Sequence, residues 1–95
     1  MTTTVTNEQL TELATKLPTM SLSDIAYLIQ REWRNIYFGA PPYLDAMKSL
    51  DSIDDNYGCD PGKHIVNYFL ANAQTWRGPI AKAVKAELNK RVKAA

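Results

Sequence analysis

Residues 21–39, SLSDIAYLIQREWRNIYFG, decide the fold class. Leu22, Ile25, Ala26, Ile29, Trp33 and Ile36 recur at spacings of three and four, the signature of one buried helical stripe. Ser21-x-x-Asp24 is a start signal, with Met20 and Ile25 at staple spacing, and Gly39 is expected to close the helix as a left-handed C-cap. Opposite the stripe lie Tyr27, Arg31, Arg34 and Phe38, within roughly 60° of one another on a straight helix. The stripe predicts a core contact, and the opposite side is a surplus of aromatic and arginine residues that needs another explanation.

The same signals recur on both sides of this stretch. Thr6-x-x-Gln9, with Val5 and Leu10 at staple spacing, predicts a helix from Asn7 that buries Leu10, Leu13, Ala14 and Leu17 and stops at Pro18. Ala40-Pro41-Pro42 opens a third helix of about ten residues, with Tyr43 or Leu44, Met47 and Leu50 inward. Asp60-Pro61 reads as a cap followed by a first-turn proline, ahead of Ile65, Val66, Phe69, Leu70 and Ala73; so wide an apolar arc predicts a central helix. Thr75 or Gly78 is expected to cap the last helix, in which Ile80, Val84, Leu88 and Val92 recur every four residues. No segment alternates with period two. The expectation is an all-α fold, a compact single-domain bundle of about five short helices over 7–95 behind a disordered N-terminal tail at 1–6. Its core is predicted to hold Leu13, Leu17, Ile25, Ile29, Trp33, Ile36, Met47, Leu50, Ile65, Phe69, Ala73, Trp76, Ile80, Val84 and Leu88.

Length and charge narrow the function. Ninety-five residues suffice for one core, and a formal net charge of +1 exerts no global pull toward nucleic acid or a membrane. Neither a signal-peptide pattern nor an apolar run near 18 residues is present, so a cytoplasmic location is expected and no membrane partner. A single cysteine makes no internal disulfide. Charge is nevertheless segregated: residues 41–62 carry one basic and five acidic groups, and residues 79–95 five basic and one acidic.

The fourteen positions 51–64 gather four aspartates, the only cysteine and the only histidine. A calcium loop needs oxygen ligands at positions 1, 3 and 5 and a glycine at 6. With Gly58 at 6, Ile53 and Tyr57 occupy 1 and 5; with Gly62 at 6, Tyr57 and Pro61 do. Both registers fail, and one Cys plus one His cannot complete a zinc shell. A helix-to-helix connection is expected instead, with Gly58 at positive φ, Asp60 as a cap and Cys59 a half-buried structural thiol. His64 falls roughly 140° from the apolar centre of its helix and is expected in solvent. No nucleophile signature accompanies it, and the glycines at 39, 58, 62 and 78 are too scattered for a phosphate loop. No enzyme activity, cofactor or metal is expected.

Two binding surfaces remain. Tyr27, Arg31, Arg34 and Phe38, continued by the corner at Tyr43, combine the residue types that protein interfaces concentrate; a protein partner is expected there, a second copy of this chain among the candidates. The alternative is a nucleic-acid accessory role for the last helix, whose Lys82, Lys85, Lys90 and Lys93 share one outer face. A helix-turn-helix is not supported: Asp45 would take the branched apolar position after Gly39, and Gln74 the small-residue position before Gly78.

At YFGAPPYLDAM, SIDDNYG and IVNYFLANAQTWRG the chain resembles small uncharacterised all-helical proteins of bacteria and their phages or mobile elements, over roughly residues 27–90. That resemblance implies a bacterial or phage-related source and carries no activity, ligand or site residue.

Overall fold

A computed structural model describes residues 6–95. The chain runs α1 (Asn7–Lys16), a 3₁₀ turn (Leu17–Thr19), α2 (Leu22–Glu32), α3 (Pro41–Met47), a two-stranded ribbon of β1 (Asn56–Tyr57) and β2 (Asp60–Pro61), α4 (Gly62–Ala71) and α5 (Pro79–Ala94). The fold is the five-helix, mostly all-α domain that the periodicity predicts. Its Cα radius of gyration of 12.7 Å matches the about 12–13 Å typical of one domain of this length. Among the described residues no helix is long and apolar enough to cross a membrane.

Local chemistry places most helix starts. The Gln9 backbone amide donates to Thr6 Oγ1 at 3.2 Å, and the Thr6 amide donates to Gln9 Oε1 at 2.9 Å. Thr6 is thus part of the helix cap and not of the tail; the remainder of that expected tail, and the staple residue Val5, lie outside the described residues. Ser21 Oγ accepts from the Asp24 amide at 3.0 Å. Two further free amides at the start of α2 are satisfied from a distance in sequence: Leu22 and Ser23 donate to the carbonyls of Asp51 and Leu50 at 2.9 and 2.8 Å. These bonds tie α2 to the chain leaving α3.

α4 packs against α3 on one side and α5 on the other, as its wide apolar arc predicts. Leu22, Ile25, Ile29, Met47, Leu50, Val66, Phe69, Val84 and Leu88 are sealed between the helices. Of the predicted core, Leu13, Ile36 and Ile80 are only partly buried, and α1 contributes no fully buried residue at all. Ala14, expected inside, is exposed. Leu44 rather than Tyr43 takes the buried position in α3.

Three local expectations are overturned. α2 ends at Glu32 instead of running to Gly39: Trp33 leaves the helix at φ −94°, ψ 98° and turns its ring inward. There it stacks on Trp76 at 5.8 Å with 18° between planes and meets Phe69 edge-on at 6.2 Å and 77°. Trp33, Asn35, Ile36, Tyr37, Phe38 and Gly39 are all indifferent or poor helix formers, so the aromatic packing overrides the helical pattern at little cost. Gly39 is accordingly no left-handed cap; a Cβ there would come within 2.5 Å of Asn72 Oδ1 and 2.7 Å of the Tyr37 ring, so the residue serves close approach.

Second, the 51–61 connection is not strand-free. Asn56 pairs with Pro61 and Tyr57 with Asp60 around Gly58-Cys59, and Gly58 at φ 61° supplies the positive-φ first residue of a II′-like hairpin. Third, Asp60 therefore belongs to the ribbon and does not cap α4, whose N-cap is Pro61. Asp55 organises the connection instead, its carboxylate accepting from the Asp51 and Ser52 amides at 3.1 and 3.0 Å.

Candidate functional site

Once α2 ends at Glu32, the four residues Tyr27, Arg31, Arg34 and Phe38 no longer share a helix face. Tyr27 and Arg31 stay on α2 and line a cleft of about 470 Å³ between α1 and α2, with Leu13, Met20, Leu28 and Ile80 among its apolar walls. Arg31 Nε bonds the neighbouring Glu32 carboxylate at 3.0 Å, and Lys48 Nζ stands 5.4 Å from the centre of the Tyr27 ring. Arg34 and Phe38 lie exposed in the 33–40 connection.

Phe38 belongs to a different surface, built by that connection. Because Trp33 is anchored inward, the following residues are carried around the end of α4, and the Phe38 ring is left 83% exposed. It packs on Tyr37 at 4.7 Å between ring centres. Gly39 then threads between the Tyr37 ring and Asn72, and Tyr37 lies beside Ala71, Asn72, Gln74 and Thr75 at the end of α4. Asn72 Nδ2 donates to the Tyr68 carbonyl one turn earlier at 2.8 Å. The Tyr68 ring, 55% exposed, is tilted against Tyr43 of α3 at 5.5 Å. Two aromatic pairs, Tyr37–Phe38 on the 33–40 connection and Tyr43–Tyr68 between α3 and α4, thus make up an aromatic corner where these elements meet.

This corner contains Phe38 and Tyr43 from the expected partner-binding set and two residues that pattern reasoning missed, Tyr37 and Tyr68. Tyr68 lies off the Ile65–Val66–Phe69 stripe, and an aromatic ring off a complete apolar stripe was the available signal. Nothing local to Tyr37 revealed its place, which depends on where α2 stops.

The alternative basic face is thinner than its sequence suggests. Lys82, Lys90 and Lys93 are exposed on α5, whereas Lys85 is half buried and its ammonium donates to the Trp76 carbonyl. Burial, reinforced by the nearby Arg77 charge, pulls the Lys85 amine below its ordinary range. Arg91 is likewise committed inward, to Glu87 at 2.8 Å and the Leu17 carbonyl at 2.6 Å.

Of the remaining chemistry-bearing residues, His64 is exposed as expected. Cys59, expected to be half buried, is fully exposed at the hairpin turn, because a two-residue loop at the tip of the ribbon has no neighbour to cover it. Among the described residues no three His, Cys, Asp or Glu side chains converge in a metal-holding group. Comparison of the chain with protein families, with curated proteins and with solved structures finds no match.

Proposed function

We propose that the protein acts by binding another protein through the aromatic corner of Tyr37, Phe38, Tyr43 and Tyr68, without chemistry of its own. One observation carries this reading. Every Leu, Ile, Val, Met and Trp among the described residues is at least partly buried, so the large apolar side chains left in solvent are aromatic, with Phe38 the most exposed of them. A domain that covers its aliphatic residues so completely has the packing capacity to cover a phenylalanine too. Aromatic residues at a surface supply large contact area with few rotatable bonds, the property that makes them interface anchors.

The test places a photo-cross-linking phenylalanine analogue at Phe38, at Tyr68 or, as control, at Lys90, in the full chain in its native cell. The expected result is the same protein adduct from Phe38 and Tyr68, absent at Lys90 and lost when the partner corner residue is changed to Ser. Adducts confined to Lys90, with nucleic acid attached, would replace this reading by the basic-helix one. Urea unfolding of Phe38→Ser checks that loss of the adduct is not loss of the fold.

A further inference from the structure

Three cations converge where the chain enters α5. Trp76, Arg77, Gly78, Pro79, Lys82 and Lys85 line one open cavity of about 680 Å³, and none of them belongs to the aromatic corner. Those six residues are its whole lining, and no carboxylate is among them. We infer that this cavity binds a phosphate monoester, the terminal dianionic phosphate of a small molecule.

The helix itself leaves these cations without a counter-charge. Three and four residues away in sequence, Lys82 has Gly78, Pro79, Lys85 and Ala86, and Lys85 has Ala81, Lys82, Leu88 and Asn89. None of these is acidic, and the like-charged Lys82–Lys85 pair works against the helix. Further along, the same helix does neutralise a cation, pairing Arg91 with Glu87 at 2.8 Å. Among the described residues no ion pair engages Arg77, Lys82 or Lys85. The charge of the cavity is therefore free to act on an anion from solution.

Lys85 differs from a solvated surface lysine. It is half buried and its ammonium donates to the Trp76 carbonyl, which fixes the group at the cavity wall and leaves two of its three N–H donors for a ligand. Burial, and after it the Arg77 charge, weakens its hold on its proton, so the cation is kept there against a repulsion that a bound anion would remove. Arg77 adds a planar fork suited to two phosphate oxygens. The start of α5, which has no side-chain cap at Gly78, adds the positive end of its dipole to a site the cations already make.

The number of charges selects the ligand. One carboxylate would answer one cation, whereas a phosphate monoester carries about −1.5 to −2 charges at pH 7 on three acceptor oxygens. A nucleic-acid backbone brings a single charge per phosphate and calls for cations in a track. The next lysines along α5, Lys90 and Lys93, instead border a separate depression with Ala86, Asn89 and Ala94.

The experiment titrates the full chain, labelled with ¹⁵N, at constant ionic strength with phenyl phosphate, with benzoate and with an unphosphorylated thymidine decanucleotide. Phenyl phosphate is expected to give saturable amide shifts at Arg77, Gly78, Ala81, Lys82 and Lys85, and the other two probes weaker ones. Arg77→Gln and Lys82→Gln should each weaken phenyl phosphate binding by about tenfold, the size of one charge-assisted hydrogen bond, and Lys93→Gln by less than about twofold. All three positions are exposed, so the variants should keep the dispersed spectrum of the folded chain. Absence of saturable shifts, benzoate binding as tightly as phenyl phosphate, or insensitivity to both Arg77→Gln and Lys82→Gln would each overturn the inference. Tighter binding of the decanucleotide, with shifts spreading to Lys90 and Lys93, would replace it by a nucleic-acid surface. Loss of the Phe38 and Tyr68 cross-links leaves this inference standing, because the two sites share no residue.

Discussion

The guanidinium of Arg91 donates to the carbonyl of Leu17 at 2.6 Å, joining the last turns of α5 to the 3₁₀ turn after α1, while its Nε is held by Glu87 at 2.8 Å. Both side chains of the ion pair are largely shielded, at 16% and 10% exposure. α1 buries no side chain completely, so this tie is a main anchor of the N-terminal segment.

Arg91→Ala should therefore lower the stability by about 2 kcal/mol, the scale of a charged hydrogen bond plus a stranded carboxylate. Arg91→Lys should recover less than half, because one ammonium cannot serve the carboxylate and the carbonyl in the planar fork's geometry. Urea unfolding measures both, and hydrogen exchange should report the loss first in α1. A neutral Arg91→Ala would mean that α1 is held by its leucines alone.

Trp33→Ala should cost about 3–5 kcal/mol, since it removes a buried ring that touches both Trp76 and Phe69. Phe38→Ser, five residues later but exposed, should change stability by no more than about 0.5 kcal/mol. Equal effects in urea unfolding would place the inward turn at the wrong residue.

Gly62→Ala should destabilise more than Gly39→Ala. At Gly62 a Cβ would meet the backbone carbonyl oxygens of Asp55 and Ile53, each at 2.9 Å, and the Gly62 amide is itself bonded to the Asp55 carbonyl. Backbone cannot yield there, and about 2–3 kcal/mol of overpacking is expected. At Gly39 the obstacles are the end of the Asn72 side chain and an exposed ring, which can swing away at roughly 1 kcal/mol. Thermal unfolding orders the two, and Asn72→Ala should relieve much of the Gly39→Ala cost.

Lys85 makes stability depend on pH in the alkaline range. Its folded pKa lies below the ordinary 10.5, so between the two values the unfolded chain binds more protons than the folded one. Stability contributed at this site therefore rises with pH from the folded pKa up to 10.5; below the folded pKa both states are charged and the burial cost is fully felt. Lys85→Met should show a flatter alkaline limb than the native chain in urea unfolding followed from neutral pH upward. Parallel limbs would mean that the Lys85 amine stays hydrated.

The sequence by itself determined the features that arise within one helical turn. Thr6 and Gln9 close a cap because three residues bring their side chains to each other's amides, and Pro41 and Pro79 open helices because a first-turn proline loses no hydrogen bond. The three-four spacing of Ile25, Ala26 and Ile29, and of Val84 and Leu88, likewise specified which faces turn inward, and with them the all-α class. Tertiary structure alone decided where α2 stops, because the stacking of Trp33 on Trp76 outweighs a weak helical preference over 33–39 and comes from residues far along the chain. That single termination dissolved the expected Tyr27–Phe38 helix face and carried Tyr37, with Phe38 packed on it, to the end of α4. Long-range contacts also withdrew Lys85 from the expected basic face, its ammonium donating to the Trp76 carbonyl nine residues back, and turned the Arg91 guanidinium to the Leu17 carbonyl. Local rules see only neighbours about four residues away, whereas a chain end, a buried carbonyl and an aromatic stack are satisfied by whatever the fold brings to them.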